Sequence, residues 1–252
     1  MFKILLDARP RREQDLTMVK IDPSTAKGEQ TRRHIFHCAL KLFREKGFDQ
    51  TTMLDIANEA GVVKSAAYYY FHSKEAIIQG YYEVVQAEQE RTCSEVFAET
   101  ADLKKRIGTA LHSKLDLAKD DRGLLGVVFR YTGEPRHPLS CLGKGTEHIR
   151  QRSIAVFEQA IAAERLPKEA KLLLPIALWA LQMGLLVMFF YDESAEQQRT
   201  RKLADGALNL ALKLLVLARL PLLKPILGRV LTLLREANLL TEGETRPDRE
   251  GR

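Results

Sequence analysis

The sequence predicts an all-α fold: a small three-helix unit holding a helix-turn-helix near the N-terminus, followed by a larger helical domain. Three observations point there. Residues 51–74 read TTMLDIANEAGVVKSAAYYYFHSK, two short helices around a tight turn. From Glu75 onward the apolar residues keep helical spacing, and no stretch alternates in the manner of a strand. The interruptions fall at Gly133-Glu134-Pro135, His137-Pro138, Pro167, Asp192-Glu193-Ser194 and Pro221, where helices stop rather than where hairpins turn.

Residues 1–26 carry Pro10, Pro23 and mixed charge without periodicity, the composition of a flexible arm. Arg9, Arg11, Arg12 and Lys20 on it would serve DNA phosphates or simply solvate it. A start of translation at Met18 would shorten the arm, and the apolar run at residues 2–6 is too brief for a secretory signal. A first helix is expected over about 26–46, with Ile35, Phe36, Ala39, Leu40 and Phe43 on its inward stripe. Gly47 ends it and lets Phe48 fold back. Thr51 and Thr52 suit an N-cap, and Asp55 completes a capping box with Asp in place of Glu. Ile56, Ala57 and Ala60 face the core, Gly61 stops the helix, Val62 and Val63 turn the corner, and a second short helix runs over 64–71. Further helices are expected at about 74–98, 102–118, 122–132, 145–164, 168–191, 196–219 and 222–240. A polar tail follows at 241–252.

Four linked pieces in residues 30–78 carry more information than a lone helix-turn-helix. They are a helix ending ALKLFREKGF, the start TTMLDIA, the turn AGV, and the exit YYYF followed by HSKEAI. In this order and spacing the segment resembles the DNA-binding domain of the TetR family of transcriptional regulators. The resemblance implies a DNA-binding domain over 27–73 and a ligand-binding and dimerisation domain over 74–240. It also implies a cytoplasmic homodimer, usually a repressor, on double-stranded DNA. By that likeness Thr52 contacts a phosphate, Tyr68 and Tyr69 face DNA, and Lys74 clamps a phosphate. Lys64 and Ser65 are left to reach base edges, because the recognition helix departs from the family with Ala66 and Ala67. Two such helices related by a two-fold axis would read a palindromic operator.

Composition permits this reading without requiring it. The net charge is +6, only half of it within residues 1–80, so charge is not concentrated at the DNA-binding end. Cys38, Cys93 and Cys141 lie far apart without metal-binding spacing and read as reduced thiols. A metal- or redox-sensing alternative would rest on the thiols with His34, His37 and Cys38, which share a helix; the inward claim of Phe36 and Ala39 speaks against it, and no metal or other cofactor is expected. No nucleophile elbow, phosphate loop or paired carboxylate on an apolar face supports an enzyme.

Residues 172–191 form an uncharged run whose one amide is Gln182. The length suits a membrane span, so a membrane-attached regulator is the alternative. Pro175, Gly184 and the lack of a flanking basic cluster favour a helix buried in a bundle or dimer. The resemblance places the helices at 168–191 and 196–219 in the dimer interface, where Gly184 and Gly206 would allow close approach. A cavity is expected among helices 102–118, 122–132, 145–164 and 168–191. Leu111, Leu115, Phe129, Phe157, Trp179, Met183 and Phe189 are its candidate walls, and His112, Arg130, Tyr131 and Gln182 its polar fixers. That lining would take a small hydrophobic or amphipathic ligand, an acidic group on it meeting Arg130.

Overall fold

The computed structural model describes residues 25–134, 136–218 and 224–236, and all the regular structure among them is helical. The arm, the alternative start at Met18, the polar tail and the end of the last helix lie outside the described residues. Helices α1 (Ala26–Glu45), α2 (Met53–Glu59) and α3 (Lys64–Tyr70) precede α4 (Lys74–Glu99), and α5 (Leu103–Ala118), α6 (Arg122–Phe129), α7 (Glu147–Ile161), α8 (Lys168–Tyr191), α9 (Gln198–Ala218) and α10 (Lys224–Glu236) complete the set.

Local chemistry sets the ends. Thr25, Ser73 and Asp102 each accept a backbone N–H three residues on, capping α1, α4 and α5. Thr52 caps α2 in a full capping box with Asp55, whereas Thr51 is buried and donates its hydroxyl to the Gly47 carbonyl at 2.7 Å. The Asp55 carboxyl is held at about 2 by the Thr52 and Lys46 hydrogen bonds. Gly47 has φ +92°, which swings Phe48 back so that its ring meets Phe43 edge-on at 5.2 Å. Gly61 has φ +62° in the turn between α2 and α3.

A Cβ at Gly61 would meet nothing within 4 Å, so a side chain there costs backbone strain and no clash. Gly61→Ala is expected to lower stability by about 1–2 kcal/mol, and Gly61→Asn by less. Urea unfolding of the two variants checks this, and equal losses would contradict it.

Helix α6 stops at Phe129, three residues short of expectation. Arg130, Tyr131 and Thr132 donate their N–H groups three residues back, as turns do, and the Thr132 hydroxyl takes the Phe129 carbonyl at 2.7 Å. A 3-10 turn at Lys144–Thr146 likewise delays α7, while α8 is continuous through Pro175.

The buried side chains form two cores. One gathers Ile35, Phe43, Ile56 and Ala67 of the first three helices and Phe71 just beyond α3 with Ile77 and Tyr81 of α4, Leu124 and Val128 of α6, and Phe189 of α8. The other packs Cys93 of α4 among α5, α7, α8 and α9 around Leu111, Phe157 and Leu178. The helix-turn-helix therefore shares its core with α6 and the end of α8. A buried polar joint adds to this. Arg44 of α1 donates to both carboxylate oxygens of Asp121 at 2.5 and 3.0 Å, and the Tyr81 hydroxyl donates to the same carboxylate at 2.9 Å. At the other end of α6, Arg130 and the Tyr131 hydroxyl reach Asp49 at 3.0 and 2.7 Å. Helix α4, at 1.5 Å per residue about 39 Å long, runs from the helix-turn-helix into the second core.

Candidate DNA-reading face and ligand cavity

Helix α3 is divided cleanly between core and solvent. Ala67, Tyr70 and, just beyond the helix, Phe71 are buried. Lys64, Ser65, Tyr68 and Tyr69 are exposed at i, i+1, i+4, i+5 spacing, which is one helical face. Tyr69 is 58% exposed, its ring edge-on to Tyr70 at 5.4 Å, and the Lys64 ammonium lies 5.8 Å from the Tyr68 ring. Of the two alanines on the helix, Ala67 fills the core and Ala66 is half-buried.

Lys74 departs from its sequence reading. Its ammonium donates to the carbonyls of Phe48, Asp49 and Thr51 at 2.8, 3.3 and 3.4 Å and sits 4.4 Å from the Phe48 ring centroid. All three N–H directions are engaged inside the protein, so this residue ties the loop before α2 to the start of α4. Lys74→Ala is expected to cost about 1–3 kcal/mol of stability, with the salt slope of DNA binding unchanged; thermal unfolding beside a salt titration checks both. Thr52 is exposed at the N-terminus of α2, but its own N–H is taken by Asp55 at 2.8 Å, so a phosphate there would meet a carboxylate.

A cavity of about 120 Å³ lies among α4, α5, α6, α7 and α8, well above the roughly 10–15 Å³ a single water needs. Its wall is overwhelmingly apolar. Phe129, Trp179 and Met183 line it as anticipated, together with Tyr82, Leu125 and Phe190. Leu111, Leu115, Phe157 and Phe189 are fully buried core residues that do not reach it.

The proposed polar fixers all lie elsewhere. Arg130 and Tyr131 point away to Asp49 because α6 ends early and the turn rotates them outward. His112 faces an outer groove between α5 and α9, where it pairs with Asp205 at 2.8 Å. Gln182 is wholly buried and donates to the Ala110 carbonyl at 2.8 Å beside Gln89, which does the same. Polar groups that do line the cavity were missed, among them Lys114, Ser153, Thr146 and Arg150. Lys114 had a legible signal, because it falls on the buried stripe Ile107, Ala110, Leu111, Leu115, Ala118 of α5. Burial holds its ammonium down to about 7, opposed by the charge of Glu90.

Helix α8 is the one helix among the described residues long and apolar enough to cross a membrane, by length and composition. It packs against α5, α6, α7, α9 and α10. Burial on all sides is not what this chain alone achieves. Ala177, Ala180, Gly184, Met188 and Tyr191 are exposed along one face of α8, and Leu203, Gly206, Leu210 and Leu214 along one face of α9. The Cys38 sulfur lies 3.8 Å from His34 Nε2, and burial raises all three thiols, which keeps them protonated and unreactive. Among the described residues no three His, Cys, Asp or Glu side chains gather as a metal site would need.

With this arrangement in view, comparison with known proteins is decisive. Residues 35–81 match the family described as bacterial regulatory proteins, tetR family, and residues 106–232 match the tetracyclin repressor-like C-terminal domain. The chain belongs to the TetR family. Its first domain matches the helix-turn-helix unit of that family, and the relatives it matches are transcriptional regulators rather than enzymes. It is 28% identical over 108 residues to the HTH-type transcriptional regulator YdgC of Bacillus subtilis, covering 41% of this chain and 55% of that protein. It is 46% identical over 41 residues to IcaR, the negative transcriptional regulator of the biofilm operon icaADBC in Staphylococcus aureus, covering 16% and 22%. The chain thus spans about half the length of the first of these TetR relatives and less of the second. The crystal structure of FadR from Bacillus subtilis in complex with stearoyl-CoA superposes with a TM-score of 0.56 at 18% identity, over 71% of this chain and 96% of that one. This likeness is one of TetR fold.

Proposed function

We propose that the protein is a ligand-released repressor that binds a palindromic operator as a homodimer in the cytoplasm. The observation that carries this reading is the position of α6. Leu125 and Phe129 of α6 form part of the cavity wall, while Asp121 and Arg130 at its two ends hold Arg44 of α1 and Asp49 of the loop before α2, both in the three-helix unit. A molecule that prefers one setting of α6 and α4 would shift the reading helices by its own differential affinity for the two settings. IcaR, named a negative regulator, supports repression, and the FadR complex with stearoyl-CoA supports an apolar or amphipathic ligand.

The open apolar faces of α8 and α9 support the dimer. Small residues at Ala177, Ala180, Gly184 and Gly206 let helices from a second copy approach closely, and the leucines of α9 would be covered. Two-fold symmetry would then set the α3 helices about 34 Å apart, one turn of DNA.

Lys64, Ser65, Tyr68 and Tyr69 read the DNA in this account. Lys64→Ala and Tyr69→Phe are each expected to weaken binding to the protein's own upstream DNA by about 1–3 kcal/mol without altering stability. Fluorescence anisotropy against that DNA and a shuffled duplex tests the reading. No preference for the upstream DNA in the wild type would refute the function, and unchanged affinity in both variants would place the docking face elsewhere.

A further inference from the structure

We propose that the cavity is a site for an apolar monocarboxylic acid, its carboxylate docking on Lys114 Nζ and its hydrocarbon lying along the α6 and α8 wall. This rests on the ligand-released reading above and specifies the ligand class. Lys114 is 93% buried by surface area and opens onto a wall that is mostly apolar. Its ammonium has one acceptor, Gln86 Oε1 at 2.8 Å, although it carries three donors. That amide oxygen also receives the Ser153 hydroxyl, and Gln86 Nε2 donates to Glu90 at 3.1 Å. Glu90 in turn is held by two nitrogens of Arg152 at 2.8 and 2.7 Å, so its carboxylate is committed outside the cavity. A buried ammonium with donors to spare and no carboxylate of its own fits one singly charged anion, and a doubly charged phosphate would leave a charge buried without a partner. Arg150 also faces the cavity, but its guanidinium donates to the carbonyls of Cys141 and Gly143 at 2.9 and 3.4 Å.

The same geometry makes binding proton-linked. In the empty cavity the amine is held down to about 7 by burial, with Glu90 and Cys93 of α4 pulling it up and Arg152 of α7 pushing it further down. Tyr81 and Tyr82 of α4 and Cys141 of the loop before α7 are raised by burial and stay neutral, Arg150 faces the cavity from α7, and the α6 and α8 walls carry no titratable group. An arriving carboxylate favours the ammonium, so binding near pH 8 takes up about one proton.

Trp179, the single tryptophan of the chain, lies in the cavity wall and reports occupancy by its fluorescence. The full chain is titrated near pH 8 with dodecanoic acid and with 1-dodecanol, and by calorimetry in phosphate and in Tris buffers. The acid is expected to bind about 10–100-fold more tightly, with uptake of about one proton that the alcohol does not show. Lys114→Met should abolish the preference while still binding the alcohol. Equal affinities, no proton uptake, or a preference that survives in Lys114→Met would overturn the proposal. If the alcohol binds and releases DNA while the acid has no advantage, only the carboxylate assignment falls; if neither probe perturbs Trp179, the cavity reading falls with it. Should Lys114→Met fail to fold, the proton count of the wild type decides alone.

Discussion

Replacing Arg44 by methionine is expected to lower the stability of the protein by about 2–3 kcal/mol. The Asp121 carboxylate is nearly buried and keeps both oxygens on the guanidinium, with the Tyr81 hydroxyl as its other donor. Arg44→Met would leave that charge with the phenol alone, and a buried ion that loses its partner costs more than the pair contributes. The figure sits below the usual range for fully buried pairs because Arg44 is itself half exposed. Asp121→Leu on top of Arg44→Met should recover much of the loss, since the unpaired charge is gone. Urea unfolding of both variants measures this, and a double variant no more stable than the single would contradict it. The same substitution should reduce the effect of ligand on DNA affinity, because it cuts the tie between the start of α6 and α1.

Lys114→Met is expected to do the opposite, raising stability by several kcal/mol near neutral pH. The shift from an ordinary lysine near 10.5 to about 7 is the cost of holding the ammonium in an apolar wall. Below pH 7 the folded and unfolded chains are both protonated and the wild type bears that cost in full. Between 7 and 10.5 the unfolded chain holds a proton that the folded one lacks, so wild-type stability rises with pH. The advantage of methionine should therefore be largest below pH 7 and fade as the pH climbs toward 10.5. Thermal unfolding across that range gives the test, and an advantage that grows with pH would be the wrong sign.

The helix-turn-helix was legible nearly residue by residue, because its signals are local. A capping box needs only Thr52 and Asp55, positive φ at Gly47 and Gly61 needs only glycine, and the face of α3 follows from 3.6-residue periodicity. The cavity was legible in its apolar half alone. Phe129, Trp179 and Met183 could be placed by pattern, but the direction of Arg130 and Tyr131 depended on where α6 ends. That end is fixed by turn hydrogen bonds and by a partner, Asp49, that lies 81 residues back in the chain. Lys74 was misread for a related reason: its three carbonyl acceptors belong to a loop more than twenty residues earlier. Long side chains choose partners that only the tertiary fold brings near. Lys114 is the reverse lesson, a charge sitting on an apolar stripe and therefore visible in the sequence itself.

The coupling between the cavity and the reading helix is tested most directly by thermodynamic linkage. Dissociation constants for the protein's upstream DNA are measured with the cavity empty and saturated by a compound that perturbs Trp179, and those for the compound with and without DNA. The account predicts weaker DNA binding by a factor of about 5–150 in the presence of the compound, matched by the same factor in the reverse experiment. A compound that saturates the cavity and leaves DNA affinity unchanged would contradict it, and α4 through α9 would then be a scaffold for dimerisation alone.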